Sequence, residues 1–96
     1  MKYFSWDPAK NEKLRAERGI SFEEIVYHIE LGDVVDVLEN PSQRYRGQRV
    51  FFVIRVQEYA YLVPFIESDR EVFLKTIIPS RKATKKYLKP KEPEDG

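Results

Sequence analysis

Cysteine is absent from this chain and histidine occurs once, at His28. Without thiols there is no disulfide, no thiolate metal site and no cysteine nucleophile. A single imidazole leaves a structural zinc ion only carboxylates for its other ligands, and offers a nucleophilic triad one base at most. Glycine is scarce as well: the four stand isolated at 19, 32, 47 and 96, so there is no glycine-rich phosphate loop. No apolar run approaches the ~20 residues of a membrane span. The opening Met-Lys-Tyr-Phe-Ser-Trp-Asp-Pro carries neither the apolar stretch nor the cleavage site of a secretory signal. These absences predict a soluble, cytoplasmic protein that uses no metal and no cofactor.

The chain of 96 residues is 42% hydrophobic and 34% charged. That is enough apolar material for one modest core, and too much for a wholly disordered chain. The formal net charge of +1 conceals a division: residues 1–43 carry −4, residues 44–91 carry +8 and residues 92–96 carry −3. A basic half of this kind suits a polyanionic partner, although a solvated surface accounts for it equally.

The local patterns read as follows. Tyr3-Phe4-Ser5-Trp6 is a short β-prone run that sets Phe4 and Trp6 on one face. Asp7 caps a helix whose first turn holds Pro8, and Gly19 ends it. Ser21 and Glu24 form a capping box, Ile20 staples to Ile25, and Phe22, Ile25, Val26 and Ile29 make one helical stripe ending near Leu31-Gly32. Strands are predicted over 33–39, 49–56, 59–67 and 72–78, joined in sequence by hairpin-length turns. Pro64 cannot donate to a ladder, which predicts a bulge or a change of pairing at that point. Ser80 caps a last helix to about Leu88 that turns Ala83, Tyr87 and Leu88 inward. Residues 90–96 lack any apolar side chain and should form a disordered tail after a single domain over 1–89. The sum is an α+β fold: two N-terminal helices on one face of a four- to five-stranded, mainly antiparallel sheet, with a short C-terminal helix.

The side chains left for chemistry are Arg, Lys, Glu and Tyr. Arg44, Tyr45, Arg46 and Arg49 cluster at a strand start, Arg55 and Lys75 fall on neighbouring strands, and Glu67 closes its strand. Arg81, Lys82, Lys85, Lys86 and Lys89 stud the last helix, where Arg81 and Lys82 stand at its start. Arginines interleaved with aromatics recognise phosphates and stack on unpaired bases. One reaction needs nothing more: RNA cleavage by the substrate's own 2′-OH, in which the protein orients the phosphate, stabilises its added charge and moves protons. Two readings without catalysis fit the same residues: plain RNA binding, and a partner-binding module that helps a cognate regulator hold DNA. His28, beside Ile29 in the second helix, reads as a surface or core-edge residue.

Three segments resemble one family. Phe4-Ser5-Trp6-Asp7-Pro8-Ala9-Lys10-Asn11, Gly19-Ile20-Ser21-Phe22-Glu23-Glu24 and Ile77-Ile78-Pro79-Ser80-Arg81-Lys82-Ala83-Thr84 are similar, in order, to motifs of BrnT-like toxins. The resemblance implies a RelE-like fold and a ribonuclease toxin of a type II toxin–antitoxin pair. It also implies an antitoxin of the ribbon-helix-helix type, and a hetero-oligomer that meets operator DNA only through that antitoxin. By motif, Arg49, Arg81 and Lys82 match family positions. Gln48 stands where the family usually has Glu, Pro64 near a common His, Thr76 at a common Arg, and Arg18 where many members have His.

The residues and the resemblance together nominate Arg49, Arg81 and Glu67 as catalytic, and Lys82, Arg46, Lys75 and Lys85 as phosphate-binding. Arg49 and Arg81 are expected to bracket the scissile phosphate, under an acidic or helical segment of the antitoxin. Each has a plainer reading. Trp6 and Asp7 serve as a core aromatic and a helix cap, Glu67 pairs with Lys75, Arg49 pairs with Glu39, and Arg81 and Lys82 cap and solubilise a helix.

Overall fold

The computed structural model describes residues 2–39 and 49–88. Arg44, Tyr45, Arg46, Gln48 and the expected tail over 90–96 lie outside the described residues. The fold is α+β. The elements run β1 (Tyr3–Ser5), α1 (Pro8–Arg18), α2 (Phe22–Glu30), β2 (Val34–Glu39), β3 (Arg49–Val56), β4 (Tyr59–Glu67), β5 (Glu71–Leu74), β6 (Ile78–Pro79) and α3 (Arg81–Ala83), whose winding loosens to a π-turn over Thr84–Leu88.

The sheet order is β1-β5-β4-β3-β2, with β6 also on β4. The β1–β5 pair is parallel and the other pairs are antiparallel. The single strand expected over 72–78 is in fact two. β5 pairs with β4 at Phe65–Glu67, and β6 pairs with it at Tyr61–Leu62. The break falls beside Pro64, which has no N–H to give to that ladder; its carbonyl accepts from the Lys75 amide at 2.8 Å. Lys75 therefore sits in the link between strands, not on a strand beside Arg55.

The helix starts follow their caps. The Asp7 carboxylate accepts from the Ala9 amide, and the Ser21 hydroxyl accepts from the Glu24 amide. Gly19 adopts φ 69°, the left-handed turn that ends α1 without a Cβ penalty. Phe22 and Ile25 are fully buried, and Val26 and Ile29 pack against the same cluster at its edge. Trp6 stacks on Phe22 with ring centroids 5.7 Å apart, so its plainer reading as a core aromatic holds, as does Asp7 as a cap. Asn11 is buried and joins the two helices. Its Oδ1 accepts from the Phe22 amide at 2.7 Å and its Nδ2 donates to Glu23 at 2.8 Å.

Strand alternation gives the sheet two faces. Ile54 and Val56 of β3 and Val63 and Phe65 of β4 meet α1 and α2 in the main core, with Leu74 and Ile77. Val53 and Ala60 point the other way and meet Ala83, with Leu38, Leu62, Tyr87 and Leu88 around them. In β2 the register slips at Val35: Val34 faces Ile54, but Asp36 faces Val53. Without that bulge Asp36 would share the apolar face of α2; with it, the carboxylate is carried to the α3 side.

Candidate functional site

The segment Ser80-Arg81-Lys82-Ala83-Thr84 divides into two sets of residues. Three of them fix the helix. The Ser80 hydroxyl accepts from the Ala83 amide at 3.0 Å, and the Ser80 amide donates to the Ala60 carbonyl at 3.0 Å. The Thr84 hydroxyl donates to the Ser80 carbonyl at 2.8 Å and accepts from the Ala60 amide at 2.9 Å. The methyl of Ala83 is buried against the sheet. Arg81 and Lys82, by contrast, are exposed, and their side chains make no hydrogen bond or ion pair among the described residues.

Between α3 and the sheet lies an open cleft of about 190 Å³. Leu38, Val53, Leu62 and Ala83 form an apolar floor, with Lys82 and Lys86 at the rim. Tyr87 forms the remaining wall, and the Lys86 ammonium lies 5.2 Å from its ring centroid. The Tyr87 hydroxyl donates to Asp36 Oδ2 at 2.5 Å. That bond, helped by the Val37 amide, holds the Asp36 carboxyl below its ordinary value. The same bond, with some burial, pushes the Tyr87 phenol up. The cleft therefore presents an apolar floor, two lysine cations and a neutral phenol bonded to a carboxylate.

The residues nominated from sequence do not all gather there. Lys82 lines the cleft, Arg81 is its chain neighbour, and Lys85 is exposed on the following turn. Glu67 is remote, at the far end of β4, where Lys2 Nζ reaches it at 2.7 Å. Lys75 is exposed in the β5–β6 link. Arg46 lies outside the described residues. Arg49 opens β3 opposite Glu39, and Arg55, six residues on, pairs with Ala60 where α3 is anchored. At strand rise that separates the Arg49 and Arg81 ends by about 20 Å. The backbone thus sets the start of β3 and the start of α3 apart along the sheet.

Sequence reasoning missed Asp36, because a bulge is invisible in a β-branched run. It placed Tyr87 in the core and overlooked its hydroxyl. Lys86 was open to detection, since residues four apart on a helix share a face with Lys82. His28 is a half-buried core-edge residue whose Nδ1 lies 2.8 Å from Asp33 Oδ2. Arg18 donates to the Ile77 carbonyl at 2.9 Å, a structural tie between α1 and the β5–β6 link. Among the described residues no group of three or more His, Asp or Glu side chains is placed to hold a metal ion. No described helix is long and apolar enough to cross a membrane.

No family model, curated protein or solved structure matches this chain.

Proposed function

We propose that this chain acts on RNA at the α3 cleft, as a cytoplasmic endoribonuclease toxin with a RelE-like arrangement of its α+β fold, restrained by a ribbon-helix-helix antitoxin. The observation that supports the reading is the division within its closing motif. Ser80, Ala83 and Thr84 are consumed in fixing the helix, while Lys82, on the wall of an apolar cleft, and Arg81, next to it in the chain, are left uncommitted among the described residues. An unpaired base offers a flat apolar face and its phosphates offer negative charge; the cleft floor and the lysine rim complement both. In the reaction, the substrate 2′-OH attacks the adjacent phosphorus and the 5′-oxygen leaves. The products are a 2′,3′-cyclic phosphate and a 5′-OH. Arg81 contributes paired donors to the added charge on phosphorus, and Lys82 and Lys86 hold the flanking phosphate. Operator DNA is met only through the antitoxin.

One observation favours a second reading, RNA binding without cleavage. Asp36 is the carboxylate bonded to the Tyr87 wall of the cleft, and that bond makes it a weak base at neutral pH. Digestion of RNA in excess EDTA, with end-group analysis, separates the two. Cyclic phosphate and 5′-OH ends that persist in chelator are expected. Ends carrying 5′-phosphate, or activity lost with chelator, would discard the proposed chemistry. Salt-dependent binding with intact RNA would establish the second reading.

A further inference from the structure

A second cleft, of about 390 Å³, opens at the other edge of the main core, where α1 meets α2 and the β3–β4 hairpin turns. Its composition is the reverse of the α3 cleft. Ile20 and Val56, both buried, supply an apolar floor. Tyr59 and Tyr61, two apart on one face of β4, stand with ring centroids 5.6 Å apart and planes at 66°. Glu24 enters from α2 and Glu58 from the hairpin turn. None of the described basic residues lines this cleft. Neither Glu24 nor Glu58 makes an ion pair among the described residues. The Tyr61 phenol is pushed up by burial first, and then by the Glu24 carboxylate, which marks the interior as negative.

Each part selects the same guest. Two carboxylates that make no ion pair among the described residues favour a cation. Two inclined aromatic rings add the attraction of their faces for a positive charge. The apolar floor needs a guest whose charge rides on a hydrocarbon stem, which is the form of Lys and Arg side chains. We propose that this cleft receives one guanidinium or ammonium side chain, an Arg or Lys presented by a partner polypeptide. The site lies on the α1/α2 side of the sheet and does not rest on the RNA reading of the α3 cleft.

The test uses the full chain, labelled with ¹⁵N. Three probes are titrated at matched ionic strength: N-acetyl-arginine N-methylamide, its neutral citrulline counterpart, and guanidinium chloride. The arginine derivative should shift the Gly19 and Gln57 amides saturably and at least tenfold more tightly than citrulline. Combining Glu24→Gln with Glu58→Gln should weaken it at least tenfold with the remaining spectrum unchanged. Guanidinium, which lacks the stem, should bind more weakly than the arginine derivative. Equal binding of citrulline and arginine overturns the proposal without recourse to any variant. So does undiminished binding by the double variant. Guanidinium binding as tightly as the arginine derivative overturns the side-chain source and leaves a free small cation as the guest.

Discussion

The Tyr87 hydroxyl reaches Asp36 across 51 residues of chain and closes the C-terminal helix onto β2. The bond needs a charged carboxylate and a protonated phenol. Asp36 is held below its ordinary value, so the contribution is full above the unfolded carboxyl range and is lost as pH falls through the lowered value. Tyr87 is raised, so the contribution is full below the unfolded phenol value and is lost as pH rises through the raised one. Amide hydrogen-exchange protection at Ala83 and Thr84 should therefore be flat between about pH 4 and pH 10 in this respect, and fall on either side. Tyr87→Phe should lower protection inside that window and remove this contribution at both edges. Equal protection in wild type and Tyr87→Phe would mean the bond does not hold the helix.

The junction of the two N-terminal helices should be sensitive in two separable ways. Phe22→Ala removes a fully buried ring and the stack with Trp6, at a cost of about 3–5 kcal/mol. Asn11→Ala removes little volume but strands the buried Phe22 amide, at about 1–3 kcal/mol. Urea denaturation measures both. A negligible loss for Asn11→Ala would show that water reaches the Phe22 amide.

What could be read from sequence tracks the range of the interactions involved. The caps at Asp7, Ser21 and Ser80 and the stripe through Phe22 and Ile25 depend on neighbours a turn away, and they stand where the pattern put them. Pro64 also announced a change of pairing, because a missing N–H is a local fact. The candidate site was legible only in part. Lys82 and Arg81 came from a local motif, but Asp36 joins them through a one-residue slip at Val35 that no alternation pattern encodes. The backbone spacing between Arg49 and Arg81 was equally hidden from the pattern. Both sit at strand or helix starts, and only the register shows those starts to be at opposite ends of the sheet.

Gln57 has φ 59°, in the first of the two positions that turn β3 into β4. A side chain there costs about 1–2 kcal/mol relative to glycine, which takes this conformation freely. Gln57→Gly should stabilise the chain by about 1 kcal/mol, net of the entropy that glycine adds to the unfolded state. For a chain of this size that is a rise of about 4–8 °C in Tm. Calorimetry at one pH suffices, and an unchanged or lower Tm would show that the Gln57 side chain makes a compensating contact.

Lys82 and Lys86 should be distinguishable from Arg81 by what each does to RNA. Two lysines that neutralise phosphates act through counterion release, and each should contribute about 0.7 to the slope of log affinity against log salt for a single strand. Replacing both by Ala should therefore weaken binding uniformly across sequences and flatten that slope by about 1.4. Ala83 and Thr84 still fix the helix in that variant, so its Tm should hold. Arg81→Ala should change binding less than it changes cleavage, since a preorganised donor to the transition state is worth about 3–4 kcal/mol, or about a hundred- to a thousandfold in rate. Fluorescence anisotropy with a labelled single-stranded RNA at four salt concentrations gives the slope, and single-turnover digestion gives the rate. A slope unmoved by the lysine pair would take the phosphates away from the α3 cleft. Cleavage undiminished in Arg81→Ala would leave the chemistry to another part of the surface.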